Sequence, residues 1–193
     1  MREGLFVSSR RRTLWRCPWT CGLALALLFA PAGEAARSVT GTIRRVLDGD
    51  TVIVETSARA RLRCRFVGID APEVSHRRRQ GRVTPGQPYG VEAQRTLERF
   101  ALHRSVTVEV RGRDQYRRRL CVLFVGGRNL NLEMVREGYA WAEPDRWSDA
   151  PAALRRTLEA AAREARQTRR GLWADPNPEP PWAFRRRTRL GGR

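Results

Sequence analysis

The sequence contains no lysine. All 38 basic side chains among its 193 residues are arginines, set against 20 acids, for a formal net charge of +18. Histidine is scarce, with only His76 and His103. No serine or cysteine stands near either at a spacing suited to nucleophilic catalysis, and neither sits at zinc-ligand spacing from the cysteines. No apolar run is long enough to cross a bilayer as a helix. The run at 21–30 (CGLALALLFA) falls well short of the roughly 20 residues a span needs. No internal repeat is visible. What is present includes 41% hydrophobic residues, enough for a packed core, which excludes wholesale disorder. The charge disfavours a cationic partner and favours polyanions: nucleic acid, anionic lipid or acidic polysaccharide. A GC-rich coding bias produces the same arginine excess, so charge alone does not choose among them.

Residues 1–36 read as an address. Arg10-Arg11-Arg12 and Arg16 form a positive start, 21–30 the apolar middle, and Gly33-Glu34-Ala35-Ala36 a small-residue cleavage site. Ser9-Arg10-Arg11-Arg12 admits either the general or the twin-arginine export route. The expectation is an exported protein, periplasmic or secreted, with no membrane attachment after cleavage; an uncleaved anchor is the alternative. Cleavage removes five arginines and two acids and leaves 33 bases and 18 acids, net +15. It also removes Cys17 and Cys21. Cys64 and Cys121 remain in a disulfide-permissive compartment, either as a bridge or as two buried thiols acting as small hydrophobes.

The remaining chain divides by pattern. Residues 39–46 (VTGTIRRV), 51–56 (TVIVET), 61–69 (RLRCRFVGI), 106–110 (VTVEV) and 120–125 (LCVLFV) are β-branched, alternating or continuously apolar and predict five strands. Helices are predicted over 91–103, 130–137 and the alanine-rich 151–170, the last stopped by Gly171. A long loop covers 74–88. Three strands, a helix and two more strands are the order of an OB-type barrel, whose groove suits oligonucleotides. The expected fold class is therefore α+β, a five-stranded OB-fold β-barrel with three packed helices over 37–174. It is followed at 175–193 by an extended tail rich in proline, tryptophan and arginine.

Four acids cluster near strand ends: Asp48 and Asp50 in Leu47-Asp48-Gly49-Asp50-Thr51, and Asp70 and Glu73 in Asp70-Ala71-Pro72-Glu73. Each pair alone reads equally as turn chemistry. Arginines stand nearby in sequence: Arg65 five residues before Asp70, and Arg118 before the fifth strand. Carboxylates supply hard oxygens for Ca²⁺ or Mg²⁺, arginine a planar fork for phosphate, and a further acid a general base for water. Together these are the parts needed to hydrolyse a phosphodiester.

The stretch 39–173 resembles the staphylococcal nuclease, or thermonuclease, family of secreted Ca²⁺-dependent nucleases. The resemblance is carried in order by Leu47-Asp48-Gly49-Asp50-Thr51, by the run from Arg65 to Glu73, by Tyr89-Gly90-Val91-Glu92-Ala93 and by Asp114-Gln115-Tyr116-Arg117-Arg118. Asn129-Leu130-Asn131 through Gly138 and Arg170-Gly171-Leu172-Trp173 match its later helices. The resemblance implies the OB fold and a nucleic acid substrate, DNA and/or RNA; a monomer is the default expectation. It implies Ca²⁺ held by Asp50, Asp70 and the backbone carbonyl of Ala71, with Asp48 behind them. Glu73 corresponds to the general base, Arg65 and Arg118 to the arginines on the scissile phosphate, and Tyr116 to a tyrosine near the substrate. So few protein ligands imply weak Ca²⁺ binding, on the order of 10⁻⁴–10⁻³ M. Arg117 and Arg119 replace glycines often found there, so either is a rival occupant of the phosphate position. A non-catalytic OB module that only binds nucleic acid is the alternative, and a cationic envelope protein on anionic lipid is a third. Arginines 77–79 and 185–187 read either as backbone contacts to nucleic acid or as solvated surface; Trp141, Trp147 and Trp182 read either as base-stacking or as packing residues.

Overall fold

In a computed structural model of the chain, residues 37–77, 81, 83–143 and 150–190 are described. Residues 1–36, Arg78, Arg79 and Trp147 lie outside them. The chain runs β1 (Arg37–Asp48), β2 (Thr51–Thr56), β3 (Arg61–Phe66), β4 (Ile69–Asp70), β5 (His76–Arg77), β6 (Val83–Thr84), α1 (Gly90–Ala101), β7 (Ser105–Arg113), β8 (Arg119–Val125), β9 (Arg128–Asn129), α2 (Leu130–Arg136), β10 (Trp141–Ala142), α3 (Ala152–Gln167), a 3₁₀ turn (Gly171–Ala174) and α4 (Pro181–Leu190).

The main sheet is ordered β3-β2-β1-β7-β8-β9, and a further β3–β8 pairing closes five strands into a barrel. That closure is parallel and sets Arg65 opposite Leu120 and Phe66 opposite Cys121. Every other pairing in the barrel is antiparallel. The irregular alternation of β1 has a local cause. A register shift between Ile43 and Arg45 lets Arg44 and Arg45 both face out while Ile43 and Val46, three apart, both face the core. The barrel interior holds Val52, Val54, Cys64, Phe66, Val106, Val108, Cys121 and Leu123, with Leu97 of α1, Met134 of α2 and Leu158 of α3 packed against it. Asn131 is a buried strut: its amide donates to the carbonyls of Val67 (3.0 Å) and Cys121 (3.1 Å) and its Oδ1 accepts from Leu123 N (3.2 Å). This ties α2 to the seam where β3 and β8 meet.

Cys64 and Cys121 are both free and fully buried. The neighbouring Cys64 thiol, and then burial, push the Cys121 thiol far above the ordinary range.

The barrel with packed helices is the expected OB-type architecture, with three departures. The third strand, expected over 61–69, ends at Phe66; the chain turns through Gly68 at φ 75° and resumes as β4, which pairs with β10 and sets Asp70 opposite Trp141. The 74–88 loop carries the small β5–β6 ladder. The tail is not extended over 181–190: it forms a fourth helix, α4, beginning at a proline, which is compatible with a first helical turn because its missing N–H has no helical partner there. Among the described residues no helix is long and apolar enough to cross a membrane.

Candidate active site

The acids and arginines singled out from sequence come from separate turns and strand ends, and the barrel gathers them. Asp50, Asp70, Ala71, Glu73, Arg65, Tyr116 and Arg118 all line one cavity of about 790 Å³. Asp48, Arg63, Asp114, Gln115 and, from α4, Trp182, Arg185, Arg186 and Arg189 complete its walls.

The turn from β1 to β2 delivers Asp50. Gly49 makes its path possible, because a Cβ there would lie 2.6 Å from Ala71 Cβ and 2.8 Å from Ala93 Cβ. Asp48 Oδ1 accepts from Asp50 N (3.0 Å) and fixes the turn. Asp50 then reaches across: its Oδ2 accepts from Ala71 N (2.7 Å) and its Oδ1 from the Thr51 hydroxyl (3.0 Å). Arg65 lies between the two aspartates with a side chain 4% exposed. Its Nη1 pairs with Asp50 Oδ2, and its Nη2 donates to Asp70 Oδ1 at 2.7 Å. The fork assigned to phosphate thus grips two carboxylates in this structure.

Glu73 is positioned through its backbone. Its N–H donates to Gln87 Oε1 (3.3 Å), and its carbonyl accepts from Gln87 N (2.8 Å). Gly90, the first residue of α1, packs so closely that a Cβ would lie 2.2 Å from the Glu73 carbonyl oxygen. The carboxylate remains 28% exposed.

The loop between β7 and β8 is folded around Asp114. Its Oδ1 accepts from the N–H groups of Tyr116 and Arg118, both at 2.9 Å, and its Oδ2 accepts from Arg118 Nε (2.6 Å). Burial works against the Asp114 charge, but these bonds, led by Arg118, hold its carboxyl below the usual range. Arg117 takes φ 63° and is exposed, and neither it nor Arg119 lines the cavity. Of these three arginines, Arg118 is the one that lines the cavity. Tyr116 is exposed, with the Arg118 guanidinium 5.5 Å from its ring centre.

Sequence reading missed the α4 contribution. Arg185 donates from Nη2 to Asp70 Oδ2 (2.6 Å) and from Nη1 to Asp70 Oδ1 (3.1 Å) and Glu73 Oε1 (2.8 Å). The signal was available: Trp182, Arg185, Arg186 and Arg189 are spaced i, i+3, i+4, i+7, one face of a helix. Trp182 also packs edge-on against Trp141 at 5.6 Å, so in both residues the ring serves packing. His76 and His103 are exposed and take no part in the cavity.

The donor set suits a hard divalent cation. Asp50 and Asp70 are 4% and 1% exposed, and carboxylates so buried require positive charge beside them, which two guanidinium groups supply here. Among the described residues no three His, Cys, Asp or Glu side chains are arranged to hold a metal ion by themselves. Two aspartates, a main-chain carbonyl and water are the ligands such a site would use. Burial raises the Asp48 carboxyl above its ordinary value, against the lowering effects of Arg65, Thr51 and Arg118. A raised folded-state pKa stabilises the fold fully below the unfolded value, and that stability is lost as pH rises through the folded value. Asp48→Asn keeps the oxygen that accepts from Asp50 N and removes the charge. The expected result, by thermal unfolding in chelator, is a higher midpoint at neutral pH and a gain that vanishes toward pH 3.

Comparison with known proteins gives a consistent result. The family model described as "Staphylococcal nuclease homologue" matches residues 63–175. A protein named "Uncharacterized endonuclease" from Escherichia coli O157:H7 is 37% identical over 150 residues, 77% of this chain and 86% of that protein. The "Micrococcal nuclease" of Shigella flexneri is 34% identical over 173 residues, covering 85% and 90%. An "Uncharacterized endonuclease" of Haemophilus influenzae is 32% identical over 168 residues, covering 86% and 85%.

Proposed function

This chain belongs to the staphylococcal nuclease family, and from that premise we propose that it is an exported, Ca²⁺-dependent endonuclease hydrolysing phosphodiester bonds of DNA and/or RNA. The observation that carries the reading is the single cavity shared by Asp50, Asp70, Ala71, Glu73, Arg65, Tyr116 and Arg118.

The proposed residue roles are compatible with that placement. Asp50, Asp70 and the Ala71 carbonyl would hold the cation, which when bound supplies positive charge to the phosphate oxygens and lowers the pKa of water. Glu73 accepts a proton from the attacking water as its oxygen bonds to phosphorus and the bond from phosphorus to the leaving oxygen breaks. Arg118 has its Nε occupied by Asp114, an arrangement that aims the remaining fork from a fixed loop. It would grip the phosphate oxygens, where a planar pair of donors surpasses a point charge. Arg65 couples that phosphate to the metal carboxylates. Tyr116, exposed at the rim, meets the flanking nucleotide. Arg63 belongs both to this cavity and to a second, shallow basic one shared with Arg44, Arg45 and Arg61. That gives polynucleotide backbone a path away from the reacting bond.

The non-catalytic binding module has no use for buried acids that a phosphate would avoid. Incubation of residues 37–193 with single- and double-stranded DNA and with RNA, across Ca²⁺ concentrations and with chelator, tests the proposal. The expected result is internal cleavage that rises with Ca²⁺ in the 10⁻⁴–10⁻³ M range, approximately, and stops with chelator. Binding without cleavage under every divalent ion would leave the binding module as the better account.

A further inference from the structure

The Arg185 contact concerns the oxygens a cation would need. Asp70 Oδ2 is engaged by Arg185 Nη2, and Oδ1 is shared by Arg65 Nη2 and Arg185 Nη1. The same guanidinium bridges to Glu73 Oε1. One side chain therefore covers the open side of a proposed metal ligand and touches the proposed base.

The helix that carries it is firmly seated. Phe184 is buried, Trp182 packs on Trp141, and Arg187 pairs with Glu179 (Nη2 to Oε2, 2.8 Å). Gln87 connects both parts. Its Oε1 accepts from Glu73 N, and its Nε2 donates to the carbonyl of Glu179, just ahead of α4. The backbone of α4 is thus fixed to the segment that fixes Glu73, while the Arg185 side chain, 24% exposed, is held at its tip by the two carboxylates.

We propose that Arg185 is a built-in counter-cation that holds the Asp70–Glu73 position until a divalent ion displaces it, so that α4 sets the metal affinity of the site. The inference rests on the reading of Asp70 as a metal ligand. Its physical basis is competition: a carboxylate both of whose oxygens take guanidinium hydrogen bonds must give them up before it can ligate a metal. A positive charge left in the cavity also repels the ion. Displacement requires only a side-chain rotation, since α4 is anchored elsewhere. The released guanidinium stays in a cavity where the substrate phosphate arrives, so metal and polynucleotide favour the same rearrangement.

Isothermal titration of Ca²⁺ into residues 37–193, without nucleic acid, tests this directly. Arg185→Gln is expected to tighten Ca²⁺ binding about tenfold or more, the effect of removing one like charge and one competing ligand. Arg185→Lys, which retains the charge, is expected to stay within about threefold of wild type. Arg186→Gln removes a charge from the same cavity but no bond to Asp70 or Glu73, and is expected to tighten Ca²⁺ binding by no more than about threefold. Wild-type affinity in Arg185→Gln, or equal tightening in Arg186→Gln, overturns the inference. If the wild type still cleaves DNA with Ca²⁺, that result leaves the nuclease reading standing. A wild-type chain that neither binds Ca²⁺ nor cleaves with it ends both.

Discussion

Replacing Arg65 by glutamine is expected to destabilise the metal-free protein by about 3–5 kcal/mol, the usual cost of removing one partner from a buried ion pair. The size follows from where the charge lies. Asp50 and Asp70 are almost wholly buried, and Arg65 bridges them. Without it, Asp50 keeps two neutral donors, Ala71 N and the Thr51 hydroxyl, but loses its cationic neighbour. Asp70 keeps Arg185. Denaturant unfolding in chelator measures the loss, and added Ca²⁺ is expected to restore part of it by supplying charge to the same oxygens. Arg65→Lys retains the charge but not the fork, so it is expected to fall between the two in stability and still lose turnover. A loss in Arg65→Gln below about 1 kcal/mol, within the range of an exposed pair, would show that the bridge does not hold the wall together.

That expectation could not be drawn from the sequence. Arg65 stands out as a candidate site residue from its motif, but its partners do not. They meet only because β3 ends at Phe66, turns at Gly68 and resumes at Asp70, and because the β1–β2 turn leans over Ala71. The individual strands were legible because β-branched alternation is a local property: Val52 and Val54 point inward on β2 for the same reason that Ile53 and Glu55 do not. The parallel β3–β8 seam was not legible, since it joins residues more than fifty positions apart and depends on the Asn131 strut in a third element. The tail was misread because its proline and tryptophan content outweighed a helical spacing that was also present. Pro181 starts α4 rather than preventing it. Family resemblance suggested roles for Asp50, Asp70, Glu73 and Arg118, which the acids at strand ends and the nearby arginines had already marked, and it had nothing to say about Arg185 because no motif covers that segment.

Glu73→Gln should lower kcat by about 10²–10⁴-fold, the contribution of a positioned general base, while leaving KM and the affinity for uncleaved polynucleotide near wild type. The substitution is nearly isosteric. What positions residue 73 is its backbone, held by Gln87 and by the close approach of Gly90, and neither depends on the side chain. Glutamine Oε1 can still accept from Arg185, so the cavity wall stays closed in the free protein. A drop in kcat without a change in melting temperature then isolates proton transfer from architecture. Activity within about threefold of wild type would assign the proton to another acceptor. The assignment of Asp70 would survive that outcome, because its evidence is burial and ion pairing rather than turnover.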